Sequence, residues 1–174
     1  MTPRVVLVGL PGSGKSTSGR RLAKMLGVGF VDSDDLVEES AGRSISTVFA
    51  ESGEEAFRAL ESSCVQRALR TFDGVLALGG GALSWAPTRA AVLAAGAPVV
   101  LLRAGLQTLT MRVGDGHTRP LLADDPSGRL GELAAAREST YRECATLTVD
   151  TDERTPGQVA AQIAARLHEE AARP

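Results

Sequence analysis

Residues 9–16 read Gly-Leu-Pro-Gly-Ser-Gly-Lys-Ser and fit the spacing G-x-x-x-x-G-K-[ST] of a phosphate-binding loop. The flanks constrain the fold as much as the loop does. Arg4-Val5-Val6-Leu7-Val8 is a short, mostly β-branched apolar run, which predicts a buried parallel strand. After the glycines, Lys15 to Leu26 places Leu22, Ala23 and Leu26 at helical spacing, and Gly27 is a helix stop. A loop between strand and helix aims its N–H groups and the helix N-terminus at one point, which suits an anionic ligand. Lys15 is expected at the β- and γ-phosphates, and the Ser16 hydroxyl at Mg²⁺.

Strand and helix patterns then alternate down the 174-residue chain, long enough for a real core. Val28–Asp32, Val75–Leu78, Pro98–Arg103 and Ala145–Val149 read as strands. Short helices are expected at Leu36–Ser40 and Ile45–Glu51. Ser52 and Glu55 have capping-box spacing for a helix carrying Phe57, Leu60, Cys64 and Ala68 on one side. Thr88–Ala95, Leu106–Arg112 and Leu130–Tyr141 read as further helices. Thr155 and Pro156, as N-cap and first residue, open the last one. This alternation predicts an α/β fold with a parallel sheet covered on both faces and no second domain.

Composition excludes several functions. Net charge is −2 and aromatics are 3%, so neither a basic nucleic-acid surface nor a base-stacking platform is expected. No apolar run approaches the ~20 residues of a membrane span, and no leader pattern opens the chain, so a cytoplasmic protein is expected. Cys64 and Cys144 lack metal-type spacing and read as two buried thiols. Lysine occurs only at 15 and 24, so the Asn-Lys-x-Asp pattern of guanine-dependent switches is absent.

Three further stretches carry chemistry. Asp32-Ser33-Asp34 ends a strand at the sheet edge where ligands of open α/β folds bind; helix capping by Ser33 or Asp34 is the competing role. Gly79-Gly80-Gly81 also follows a strand, and three glycines suit close backbone approach to a ligand more than a plain turn. Residues 113–127 form a polar loop with Arg119-Pro120-Leu121-Leu122, which suits a lid whose arginine stabilises transferring charge. His117 in that loop reads as a solvated residue, and His168, near the end of the last helix, as favouring the helix dipole rather than catalysing. Arg58, three before Glu61, by itself reads as an ion pair on a solvated helix face.

Together these segments resemble the shikimate kinase family. The resemblance covers nearly the whole chain and rests on Gly9 to Thr17, Asp32-Ser33-Asp34, Gly53-Glu54-x-x-Phe57-Arg58-x-x-Glu61, Gly79-Gly80-Gly81-Ala82, Arg119-Pro120-Leu121-Leu122 and Arg137-x-x-x-Tyr141. It implies a P-loop, nucleoside-monophosphate-kinase-like three-layer sandwich, with a five-stranded parallel sheet in order 2-3-1-4-5. It implies one domain over 1–174, with an acceptor-binding insertion at about 33–61 and a lid at about 113–125. The implied reaction moves the γ-phosphate of ATP to the 3-hydroxyl of shikimate, with Mg²⁺, in aromatic amino-acid biosynthesis.

Residue roles follow from the same resemblance. Lys15, Asp34 and Arg119 would be catalytic. Gly12, Ser13, Gly14, Lys15, Ser16 and Thr17 would hold ATP, with Arg119 on the phosphates and Arg112 and Arg154 around adenine by cation–π contact. Asp34, Phe49, Phe57, Arg58, Gly79, Gly80, Gly81 and Arg137 would form the shikimate site, Arg58 and Arg137 clamping the carboxylate. Ser16 and Asp32 would serve the metal. The expected partners are shikimate and ATP, with no nucleic acid or membrane, acting on a monomer. A gluconate kinase on the same fold is the nearest alternative; it would share the phosphate loop without needing the Arg58–Arg137 pair. A dead module that only binds a metabolite is another.

Overall fold

A computed structural model describes residues 2–114 and 126–172. Five parallel strands form its sheet: β1 (Val5–Val8), β2 (Gly29–Asp32), β3 (Gly74–Ala77), β4 (Val99–Arg103) and β5 (Leu147–Asp150). Their order is β2-β3-β1-β4-β5, as the family resemblance implied. Val6 pairs with Leu76 on one side and with Val99 on the other, so β1 lies at the centre. Strand alternation sends its side chains to opposite faces. Val6 and Val8 join Leu76, Val99, Val65, Leu69, Val92 and Tyr141 in one core. Val5 and Leu7 join Val100, Leu22, Val159 and Ile163 in the other. Because β1 is buried on both faces, it reads as an unbroken apolar run.

Seven helices connect and cover the strands among the described residues: α1 (Lys15–Leu26), α2 (Ser33–Ala41), α3 (Ile45–Thr71), α4 (Ala86–Ala95), α5 (Leu106–Val113), α6 (Pro126–Cys144) and α7 (Pro156–Ala171). Leu22 and Ala23 of α1 and Val159, Ala160 and Ile163 of α7 supply one core, while α3, α4 and α6 supply the other, giving three layers. The expected cap of α7 forms: Gln158 N–H donates to Thr155 Oγ1, the Gln158 side chain meets the Thr155 backbone, and Pro156 follows the cap.

One boundary moves and one competition closes. The helices foreseen on either side of Ser52 both form and meet at a kink at Gly53, whose φ of 79° and ψ of 174° are non-helical. Only glycine adopts that backbone readily, so Gly53 rather than Ser52 marks the break. The competition over capping α2 is settled by Asp32, whose Oδ1 accepts from Asp34 N–H at 3.1 Å. Ser33 and Asp34 lie inside the helix and keep their side chains for other partners.

Residues 33–61 bring a small core of their own, in which Val37, Val48, Phe57 and Cys64 pack with Leu36, Phe49 and Leu60. Both cysteines are free and buried, as expected. No helix among the described residues is long and apolar enough to cross a membrane.

Candidate active site

Three of the functional segments follow strands at the same sheet edge. The phosphate loop follows β1, the two aspartates follow β2 and the glycine triplet follows β3. The loop curls because Gly9, at φ 148°, has no room for a side chain: a Cβ there would lie 2.5 Å from the Leu102 carbonyl. Gly14, left-handed at φ 89°, then starts α1. The Lys15 ammonium donates to the Gly9 and Leu10 carbonyls at 2.9 and 3.0 Å, folding back over the loop it belongs to.

A cleft of about 420 Å³ opens above this loop. Gly12 to Ser18 form its floor, and Arg112, Thr151, Arg154, Pro156 and Val159 its walls. Thus Gly12, Ser13, Gly14, Lys15, Ser16 and Thr17 share one cleft with Arg112 and Arg154, although the two arginines come from α5 and the β5–α7 turn. Each is fixed by backbone acceptors. Arg112 donates to Thr151 Oγ1 at 2.9 Å and to the Thr151 carbonyl at 2.8 Å. Arg154 donates to the Asp150 carbonyl at 2.8 Å and to Gln162 Oε1. Thr151, 2% exposed, carried no signal in the sequence because its partner lies 39 residues away.

At the cleft's end the Ser16 hydroxyl donates to Asp32 Oδ2 at 2.6 Å. A hydroxyl and a carboxylate are hard oxygen donors of the kind that suit Mg²⁺. Among the described residues no three His, Cys, Asp or Glu side chains cluster around a metal position, and an ion held partly by nucleotide phosphates needs no such cage.

The glycine triplet is the centre of the second bay. A Cβ on Gly79 would lie 2.7 Å from both Asp34 Oδ1 and Glu61 Oε1. One on Gly80 would lie 3.0 Å from Pro11 Cδ of the phosphate loop and 3.3 Å from Arg137 Nη1. One on Gly81 would overlap the Arg58 guanidinium. Side chains at Gly79 and Gly81 would therefore collide with Asp34, Glu61 and Arg58, and one at Gly80 would press on Pro11 and Arg137, which suits three consecutive glycines. Arg58 and Arg137, 79 positions apart in sequence, reach neighbouring glycines of one loop. Phe49 stacks on Phe57 with ring centroids 4.5 Å apart, and the Arg58 guanidinium lies 5.0 Å from the Phe57 centroid.

The local pair reading of Arg58 is half right. Arg58 Nη1 does donate to Glu61 Oε2 at 2.7 Å, but Arg58 is 8% exposed and Glu61 1%. The face is buried, not solvated. Glu61 Oε1 has no hydrogen-bond partner among the described residues. Burial pushes the Glu61 carboxyl above its ordinary range, while Arg58 and Arg137 pull it back. Arg119 and His117, with nearly all of the expected lid at 113–125, lie outside the described residues.

A phosphate loop at the edge of a five-stranded parallel sheet, one thin glycine partition away from an arginine-lined bay, defines a P-loop phosphotransferase. Comparison with known proteins narrows the class. A model of the shikimate kinase family matches residues 11–168, and the chain belongs to that family. The shikimate kinase of Mycobacterium tuberculosis (strain ATCC 25177 / H37Ra) is 49% identical over 168 residues, covering 96% of this chain and 94% of the relative. A solved shikimate kinase from Acinetobacter baumannii, in complex with shikimate, is 32% identical with a TM-score of 0.94, covering 99% of this chain and 96% of that one. A gluconokinase from Sinorhizobium meliloti 1021 is 20% identical at a TM-score of 0.67, covering 96% of this chain and 92% of that one, and shares the fold.

Proposed function

We propose that this chain phosphorylates the 3-hydroxyl of shikimate with ATP, giving 3-phosphoshikimate and ADP in aromatic amino-acid biosynthesis. The observation that carries the reading is the convergence of Arg58, Arg137 and Asp34 on Gly79–Gly81, beside the phosphate loop. Shikimate is a small carboxylate bearing three hydroxyls. Two guanidinium groups match its carboxylate, and a carboxylate such as Asp34 matches a hydroxyl.

In the proposed reaction the bond from the γ-phosphorus to the β–γ bridging oxygen breaks as a bond to the acceptor oxygen forms. The hydroxyl proton leaves to the Asp34 carboxylate. Such transfers need alignment and charge neutralisation more than a strong base. Lys15 would exchange its carbonyl partners for the β- and γ-phosphates, and Arg119 would add charge from the lid. Arg112 and Arg154 would flank adenine. Phe49 and Phe57 would wall the bay and exclude water, which otherwise competes as acceptor. Mg²⁺, when bound with ATP near Ser16 and Asp32, would neutralise charge on the phosphates.

The working unit in this proposal is a monomer. The net charge of −2 supports neither a nucleic-acid nor an acidic-membrane partner, and a cytoplasmic site of action fits both substrates. Release of ADP, followed with and without shikimate and with gluconate as the rival acceptor, tests the reading. Turnover should require shikimate and Mg²⁺; saturation by gluconate with indifference to shikimate would overturn it.

A further inference from the structure

The backbone of the glycine triplet can be accounted for group by group, because a buried N–H or C=O needs a partner. Gly79 N–H donates to Ser33 Oγ at 2.8 Å, and Ser33 is fully buried. The Gly79 carbonyl accepts from Ala82 N–H at 3.0 Å, and the Gly81 carbonyl from Ser84 N–H at 3.0 Å. The Gly80 carbonyl accepts from the Tyr141 hydroxyl at 2.6 Å. Only the N–H groups of Gly80 and Gly81 make no hydrogen bond among the described residues. Arg137, one helical turn earlier on α6, brings its Nη1 within 3.3 Å of where a Cβ on the same Gly80 would lie.

We propose that Ser33 and Tyr141 are positioning residues for the acceptor: they hang the glycine triplet from α2 and α6, leaving the Gly80 and Gly81 N–H groups for the substrate. The inference rests on reading this bay as the shikimate site. Neither side chain need touch substrate. Ser33 fixes one end of the triplet from the same turn that bears Asp34. Tyr141 fixes its middle from the same helix that bears Arg137. Two elements far apart in sequence thus hold the backbone donors in register with the side chains they carry.

Tyr141→Phe keeps the ring and removes only the hydroxyl. Ser33→Ala removes the acceptor of Gly79, and Ser33→Thr restores a hydroxyl. Steady-state kinetics with both substrates, and shikimate titration of the fluorescence of Trp85, the sole tryptophan, which closes the turn after the triplet, provide the readouts. Tyr141→Phe and Ser33→Ala should each raise the shikimate KM and Kd about 5- to 20-fold, the effect of losing one buried hydrogen bond. The ATP KM and kcat should stay within about twofold, because binding common to ground and transition states is what is lost. Ser33→Thr should recover most of the loss. Equal loss toward both substrates, a fall in kcat alone, or unchanged constants would overturn the inference. Arg58→Ala, measured alongside, separates the two levels. If it raises the shikimate KM while Tyr141→Phe and Ser33→Ala do not, the suspension fails and the site stands. If Arg58→Ala leaves the shikimate KM unchanged, the site itself is misassigned.

Discussion

Arg58 is a buried cation whose fixed neighbours are Glu61 and, at 3.6 Å, Glu54. A guanidinium so confined is already oriented before a carboxylate arrives, which lowers the ordering cost of binding. Arg58→Ala should therefore raise the shikimate KM by roughly 10- to 100-fold, the range for charge-assisted hydrogen bonds, with little change for ATP. Separate KM measurements for each substrate check this. Lys15 lines the cleft above the phosphate loop, and its proposed role is in the transition state. Lys15→Met should lower kcat by at least about 10²-fold, and a near-normal kcat would contradict its role. Asp32→Asn should raise the Mg²⁺ concentration needed for half-maximal rate, because a neutral amide is a poorer partner for a hard cation. At this scale the sequence was legible where chemistry is written in spacing, as in Gly9 to Ser16. It did not show the partners of Ser33, Thr151 and the Tyr141 hydroxyl, which are 46, 39 and 61 positions away. It misjudged the surroundings of the Arg58–Glu61 pair because i, i+3 spacing fixes contact, while burial depends on what else packs there.

Elements were the most readable level. Each central strand is a short apolar run between polar or glycine-containing turns, and each foreseen strand overlaps an observed one. The boundaries that shifted did so for identifiable reasons. The break between the two helical halves of α3 was legible, but the sequence placed it at Ser52, one residue before the glycine whose backbone makes it. That break sets how the helix bearing Phe49 meets the helix bearing Phe57 and Arg58. Gly53→Ala forces a side chain onto a backbone with φ 79° and ψ 174°. It should cost about 1–3 kcal/mol of stability and raise the shikimate KM more than the ATP KM. Urea unfolding together with steady-state kinetics tests both parts, and unaltered stability would show that the break tolerates a Cβ.

For the molecule as a whole, alkaline unfolding reads the anchoring of the bay. Burial pushes the Tyr141 hydroxyl from about 10 up to about 12, although Arg137 draws it the other way. Its pKa is higher folded than unfolded, so the folded chain binds more protons between these limits. The associated stability is full below about pH 10 and is lost as pH rises toward 12, by an amount on the order of 2–3 kcal/mol. Tyr141→Phe should flatten that part of the profile. Because the chain contains one tyrosine, phenolate absorbance follows this single group directly. A phenol titrating near pH 10 in the folded protein would contradict the assignment.

The segment proposed to bind the acceptor is built around its own small cluster of Val37, Val48, Phe57 and Cys64, while the sheet divides its two larger cores between its faces. A patch of packing that size opens at lower free energy than the sheet it sits on. In deuterated solvent the amides of α2 and the first half of α3 should therefore exchange well before those of β1. Added shikimate should slow the early set selectively, and ATP should not. The protein then behaves as a stiff nucleotide half joined to a softer acceptor half, each responsive to its own substrate.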